Sequence, residues 1–507
     1  MRVISLNRIK LPRIDLEILW VLTVIVGVFV FVNTQPIRPH DFWWHLAVGQ
    51  EIVTTRVIPT VDIYSYTMAG TAYPSYQMFW LADAALYSIY NFGGPEVIIL
   101  VQSILITVAY GILLWLCWKI SKSWRIAAVS TFFAVALGIN NWNVRPQTIS
   151  YLIGVIYLLA IYAYRVKPRI GWLFVFPVGM LVWVNSHGSF VIGLVLIGIW
   201  FGDELWQVVY SRYMNRAKNP LKQLWASLLV LVLTSGACLI NPRGLGIINY
   251  VQNLTSNSVV QDLVPEWASP SFDSLSGVIF LISLMLCAII LAISPTRPNF
   301  FQLEFFLVFG ILGLRTLRGA VWFGIVMAPI LAYHFSQLVK INRNNKSKEP
   351  TQAGRHIANL AILILLLLGA VVSLPWFKSS LPLPPLKAGL VSTETPLEAI
   401  EYLLSEEAPG QLFHDMGFGS YLIWAARPEY KVFVDPRIEL YAPQIWGDYI
   451  AISRALPGWE EKAADYGIQT MMLNPETQPR MINALRITPG WRLVFEDLSA
   501  VIFIKEN

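Results

Sequence analysis

The chain has 507 residues, 56% hydrophobic and 13% charged, with a formal net charge of +6 at pH 7. An average soluble protein carries about 25% charged residues. Half that charge, together with 20 Trp, 21 Tyr and 26 Phe, excludes a soluble globular enzyme, a disordered chain and a fibrous protein, and leaves an integral membrane protein with many spans.

Eleven apolar stretches approach the roughly 20 residues that cross about 30 Å of hydrocarbon. They are 16–33, 95–118, 126–140, 148–164, 170–185, 188–208, 223–240, 275–294, 301–314, 319–338 and 356–376. The first follows a basic start, but Asn33-Thr34-Gln35-Pro36 lacks a small-residue cleavage site, so it reads as an anchor. One set of connections carries twenty Lys and Arg, from Arg2 to Arg355. The other carries six: Arg38, Arg56, Arg145, Arg243, Arg315 and Arg318. The basic set is cytoplasmic by the positive-inside rule. The N-terminus is then inside, and an odd number of spans puts the C-terminal tail outside. The net charge is therefore a topology signal, and no nucleic-acid partner is expected. Cys117, Cys238 and Cys287 lie in apolar runs and imply no disulfide framework or zinc site.

The expected fold is an α-helical polytopic membrane protein of about 11 transmembrane helices in the plasma (inner) membrane. It has a large first extracytoplasmic loop and a small C-terminal extracytoplasmic α/β domain. Residues 1–376 form the membrane module, with the first outer loop at 34–94. Residues 377–394 are a Pro-rich linker, and 395–507 the α/β domain. In the outer loop, 41–53 reads as an amphipathic helix lying in the interface with Trp43 and Trp44 at headgroup level, and 77–90 as a second helix. In the tail, Gln411–His414, 431–434, Ile468–Leu473 and a hairpin at 491–504 read as strands, and 419–426 as a helix. The polar run at 342–348 is a cytoplasmic loop, and the Asn253-Leu254-Thr255 sequon matters only in a secretory pathway.

Asp203, Glu204 and Glu304 sit near cytoplasmic span ends, and the middle of the spans is almost free of charge. Mid-depth charges mark ion-coupled transport, so their absence counts against a transporter. The outer connections gather Arg145, His187, Arg243 and Arg318, and the large loop adds Asp41, His45 and Asp62. Outer arginines that persist against the charge bias fit an anion at headgroup level, because guanidinium pairs with phosphate in a bidentate manner. Each residue also has a plainer reading. Asp41 is placed to cap a helix, His187 sits in a turn where an imidazole satisfies backbone groups, and Arg145 and Arg243, each near a proline, serve as interfacial anchors.

The stretch Pro39-His40-Asp41-Phe42-Trp43-Trp44-His45-Leu46 with Gly49, followed by Ile58-Pro59-Thr60-Val61-Asp62, resembles the first outer loop of the GT-C superfamily of integral-membrane glycosyltransferases. That superfamily includes protein O-mannosyltransferases, aminoarabinose transferases and oligosaccharyltransferases, and the whole chain is similar in layout to uncharacterised bacterial multi-span members. The motif itself is confined to 36–70. The resemblance implies a hexosyl- or pentosyltransferase that moves a sugar from a polyprenyl-phosphate-linked donor to a lipid, glycan or protein acceptor at the extracytoplasmic face, with membrane lipids around it. It implies Asp41 as catalytic base or metal-linked carboxylate. The family motif is a pair of acids, whereas Phe42 follows Asp41 here. A divalent metal cofactor (Mg or Mn) is thus left open, with Asp62 or His45 as second member of the pair. Asp415-Met416-Gly417-Phe418-Gly419 lacks the Trp pair of the oligosaccharyltransferase motif and carries no acceptor role.

The residues support the same chemistry without the family. A positioned carboxylate, Asp41, takes the proton of the acceptor hydroxyl. Arg145, Arg243 and Arg318 hold and stabilise the departing phosphate. His45, Asp62 and His187 line the substrate site. No Gly-rich phosphate loop or cytoplasmic Asp-x-Asp motif offers a nucleotide-sugar site. The rival readings are a transporter or flippase of lipid-linked glycans and a non-catalytic envelope assembly factor.

Overall fold

The structure, a computed structural model, describes residues 15–214, 221–250, 265–342 and 354–506. The basic residues before Asp15, Arg216 and Lys218, the sequon at 253–255 and residues 343–348 lie outside the described residues.

The membrane part is helical: α1 (Leu16–Asn33), α2 (Phe42–Thr55), α3 (Tyr76–Ser121), α4 (Trp124–Gly138), α5 (Thr148–Val166), α6 (Ile170–Val184), α7 (Phe190–Tyr213), α8 (Leu221–Ala237), α9 (Leu275–Ile293), α10 (Phe300–Arg315), α11 (Leu317–Asn342) and α12 (Gly354–Val372). Six of these, α1, α3, α5, α7, α9 and α11, are long and apolar enough to cross a membrane. The other five expected spans are shorter: α4 and α6 have 15 residues, α10 has 16, α8 has 17, and the apolar part of α12 is Ile357–Val372. Helix is the natural state here, since every backbone polar group is satisfied within the segment. α11 sits at the centre of the bundle, with most of its apolar residues buried against α4, α10 and α3.

The outer helix at 77–90 and the span at 95–118 form one element, α3, broken at Gly93-Gly94. Gly94 has φ +66°, a conformation that favours glycine, and Pro95 follows without an N–H to continue the ladder. The break lets the first third of α3 turn over the end of the bundle and pack on α2. Gly49 makes that crossing close: a Cβ there would stand 2.0 Å from the Asp83 carbonyl oxygen.

α2 corrects one expectation. Trp43 and Trp44 are 2% and 4% exposed and do not lie at headgroup level. α2 is covered on one side by α3 and on the other by the tail domain. Trp43 packs edge-on against Tyr421, and the Trp44 backbone N–H donates to Ser420 Oγ at 3.0 Å.

The tail contains α13 (Leu397–Ser405), β1 (Gln411–His414), α14 (Met416–Ala425), α15 (Pro443–Ser453), α16 (Trp459–Asp465), β2 (Ile468–Leu473), α17 (Pro479–Ile487), β3 (Trp491–Glu496) and β4 (Val501–Lys505). The sheet order is β1-β2-β4-β3, with β1 parallel to β2 and the other pairs antiparallel. The expected strand at 431–434 is absent from this sheet. Val432 instead bridges Ser65 of the outer loop, and the Phe433 N–H donates to His414 Nε2 at 3.1 Å. These backbone groups serve as a clasp between tail and loop.

The strongest clasp is ionic. Arg437 is 1% exposed and donates to Asp62 Oδ1 at 2.6 Å and, through Nε and Nη2, to both Asp435 oxygens at 2.8 and 2.6 Å. Tyr76 bonds the same guanidinium and Tyr441 the Asp435 carboxylate. Removing one member of a buried ion group leaves uncompensated charge, at a cost of about 3–5 kcal/mol. Arg437→Met should therefore lower stability by about 3–5 kcal/mol, read as a lower melting temperature and faster proteolysis within 56–75.

Candidate active site

Asp41 occupies the N-cap position of α2 but makes no side-chain cap; its backbone is at φ −77°, ψ −29° rather than in the extended region a cap favours. Its carboxylate turns the other way. Arg145 Nε lies 3.1 Å from Asp41 Oδ2 in an ion pair, and Arg145 Nη1 donates to both oxygens of Glu266 at 2.9 and 2.8 Å. Glu266 Oε2 also accepts from Arg318 Nε at 2.9 Å. The result is a chain of alternating charge, Asp41–Arg145–Glu266–Arg318, at the end of the bundle that the charge bias reads as outer.

Each member is held from a different element. Arg145 sits in the turn before α5. Gln102 of α3 braces that turn by donating to the carbonyls of Trp142 and Asn143, and by accepting from Thr148 Oγ1 at 2.8 Å. Glu266 lies on the single turn Pro265–Trp267, fixed by the Leu317 N–H donating to the Ala268 carbonyl at 3.1 Å. Arg318 opens α11 and lies 5.2 Å from the Trp267 ring centroid. A groove beside Glu266 is apolar along Leu137, Ile279 and Ala320 and polar along Asn140, Asn141 and Ser276.

The electrostatics follow from this packing. Burial alone would raise Glu266, but Arg145 and then Arg318 hold it down to about 2. Burial works against the charge of Arg145 as well, and Asp41 and Glu266 overcome it and push the guanidinium up. His187 is pulled down to about 3 by burial and then by the charges of Arg318 and Arg145. It is therefore neutral near pH 7. Its Nδ1 accepts from the Ser189 N–H at 3.1 Å, which leaves the ring proton on Nε2.

The other sequence candidates divide. His45 shares the helix face of Asp41, but its ring turns inward: Nδ1 donates to Asp83 Oδ1 at 2.7 Å and the ring stacks on Trp44. It lies behind the cleft, near enough for His187 and Arg145 to help burial depress its pKa. Asp62 is not brought to the cleft; it is 1% exposed and committed to Arg437. Arg243 stands at the rim, its guanidinium 5.3 Å from the Tyr250 ring centroid. A Cβ on Gly188 would lie 2.9 Å from the Tyr250 hydroxyl, so Tyr250 links Arg243 to the His187 turn.

Two residues escaped the sequence reading. Glu266 lies in an aperiodic stretch between α8 and α9, and its one visible sign is an acid beside a Trp at a span entrance. Glu439 comes from the tail domain. Its Oε1 accepts from Tyr73 Oη at 2.7 Å and Ser75 Oγ at 3.3 Å. The carboxylate is exposed yet ringed by protein. That crowding lifts its pKa, and the Asp41 charge adds to the rise.

The residues around Asp41 do not form a divalent-metal site among the described residues. Asp41 gives one oxygen to Arg145, and the guanidinium sits where a cation would, with His40 and Glu439 not gathered with it into a ligand set. Asp62 is sealed away, and His45 faces Asp83. Among the described residues no group of three or more His, Cys, Asp or Glu side chains is placed to hold a metal.

His187 yields a pH prediction. Its folded pKa lies below that of the unfolded chain, so its neutral form is favoured by folding. This contribution is full above about pH 6.5 and is lost as pH falls toward 3, at about 1.4 kcal/mol per pH unit. His187→Gln should melt closer to the parent chain at pH 5 than at pH 7.5, measured by thermal melts across that range.

No protein-family model matches the chain, and no curated protein matches it by sequence. Solved structures do match. The archaeal oligosaccharyltransferase AglB from Archaeoglobus fulgidus, in complex with an inhibitory peptide and a dolichol-phosphate, is 10% identical with a TM-score of 0.50, over 96% of this chain and 74% of that one. The apo form of the Archaeoglobus fulgidus oligosaccharyltransferase is 11% identical with a TM-score of 0.52, over 90% and 69%. ArnT from Cupriavidus metallidurans bound to undecaprenyl phosphate is 14% identical with a TM-score of 0.47, over 96% and 97%. At such identities the likeness is one of fold. As the resemblance at residues 36–70 leads one to expect, the chain shares the fold of the Archaeoglobus fulgidus oligosaccharyltransferase structures over 90–96% of its length.

Proposed function

We propose that the protein is a glycosyltransferase that moves a sugar from a polyprenyl-phosphate-linked donor to an acceptor hydroxyl at the extracytoplasmic face, with Asp41 as general base. One observation carries the reading. Asp41, with its side chain 26% exposed, is the end of an ordered charge chain whose other members are two arginines bridged by one carboxylate.

The chemistry uses those parts in sequence. The acceptor O–H gives its proton to Asp41 as its oxygen bonds to the anomeric carbon. The bond from that carbon to the phosphate oxygen breaks, and the phosphate leaves with the electron pair. Arg145 and Arg318 stabilise the charge gathering on it with guanidinium groups already in place. Neutral His187, with its proton on Nε2, offers a donor without adding charge. Arg243 waits at the rim. The tail domain brings Glu439 opposite Asp41, where it orients the acceptor. The apolar side of the groove beside Glu266 suits an isoprenoid tail. The GT-C fold supports this reading, as does the dolichol-phosphate bound by the archaeal oligosaccharyltransferase.

Asp41→Asn should lower sugar transfer from a defined polyprenyl-phosphate sugar by about 10²–10⁴-fold while leaving the melting temperature near that of the parent. Undiminished turnover in the folded variant would remove Asp41 from its role. Arg318→Ala, which takes away a charge-assisted contact worth about 1.5–3 kcal/mol, should lower kcat/KM for the donor about 10- to 100-fold, most of it in kcat, and leave the acceptor KM nearly unchanged.

A further inference from the structure

Beyond α12 the chain runs as a strap along the outer ends of α1 and α3. The short 3-10 helix Pro375–Ser380 packs against α3, and a turn of helix at Pro385–Ala388 follows. The Ile37 N–H donates to the Leu390 carbonyl and the Ser392 N–H to the Ile37 carbonyl, which ties the strap to the residues after α1. Its large apolar side chains are exposed: Trp376 52%, Phe377 47% and Leu386 61%. Its two lysines are turned inward. Lys378 is 1% exposed, and its Nζ meets no hydrogen-bond partner among the described residues. Lys387 is half-buried with its Nζ 5.5 Å from the Phe31 ring centroid, and its charge reaches Lys378. Every lysine before these two, from Lys10 to Lys348, falls in the cytoplasmic set of connections.

Apolar side chains outward and cations inward is the reverse of a strap that meets water. It suits a strap at headgroup depth, with its rings at the acyl boundary. An ammonium without an acceptor is costly to bury, and a second one nearby adds repulsion. Burial and then Lys387 draw Lys378 down to about 8, so it still carries charge at neutral pH. Both costs are removed by one anion with several acceptor oxygens.

We propose that Lys378 and Lys387 form a phosphate site for the headgroup of an anionic outer-leaflet lipid, separate from the cleft of Asp41 and Arg145. Lys378 is its floor and Lys387 its mouth. The site stands independently of the transferase reading.

The test compares melting of the full chain in nanodiscs of phosphatidylcholine alone, phosphatidylcholine with added phosphatidylglycerol, and phosphatidylcholine with millimolar inorganic phosphate. Phosphatidylglycerol should raise the melting temperature of the parent by about 2–4 °C, and inorganic phosphate should not. Lys378→Met and Lys387→Met should each lose most of the rise, while Lys378→Arg, which keeps the charge, should retain it. An equal rise in the parent and both Met variants overturns the site. A rise with inorganic phosphate that matches phosphatidylglycerol overturns the lipid source and makes free phosphate the ligand.

Discussion

Arg145 is the constraint from which the outer face is built. Its guanidinium is held between Asp41 at the start of α2 and Glu266 on the turn before α9, so one side chain fixes the distance between the first outer loop and the far side of the bundle. A guanidinium can do this because its donors lie in a planar fork; an ammonium offers no such fixed geometry. The bridge also explains why Asp41 forsakes its cap. A cap contributes about 1 kcal/mol, and an ion pair with a half-buried guanidinium in a crowded cleft, where the local dielectric is low, offers a comparable amount.

The second joint lies behind the first. Asp62, Arg437 and Asp435 lock the outer loop to the tail domain, with Val432 and Ser65 bridged beside them. This lock positions Ile438 and Glu439, and so decides which acid of the tail reaches the cleft. α14 reinforces it by covering α2 from the opposite side, where Ser420 accepts from Trp44. The tail domain is therefore one wall of the cleft, and its rigidity is part of the geometry around Asp41.

How far these features were legible depends on the range of the interaction involved. Local pattern carried the helices, the strands Gln411–His414 and Ile468–Leu473, and the hairpin whose turn Asp497 ties with its side chain. Chain order and charge bias were enough to set Asp41, Arg145 and Arg318 on one face, and the structure does join them through Glu266. Spacing was less informative about direction. Asp41 and His45 are four residues apart, yet one faces Arg145 and the other Asp83: Asp41 stands at the N-cap, before the helix begins, whereas His45 lies within α2, which packs along α3. Asp62 was placed in the cleft as a loop acid near Asp41; its partner is 375 residues away, and no local signal reveals such a pairing. The strand at 431–434 failed for a related reason: its alternation is genuine, but its backbone bonds go to a loop and an imidazole.

Glu266 sets the resting state of the arginines. Two guanidinium groups converging without an anion would repel each other and drift apart. A carboxylate between them, held ionised by their own fields, keeps both in position before any ligand arrives. Preorganised charge stabilises a transition state better than charge that must first be gathered. In the proposed transfer, the cost is that an incoming phosphate must share these donors with Glu266, which weakens ground-state binding. A phosphate that gains negative charge as its bond to the sugar breaks competes for the donors more strongly at that moment. The arrangement therefore favours the departing phosphate over the bound donor, and differential binding of this kind speeds a reaction.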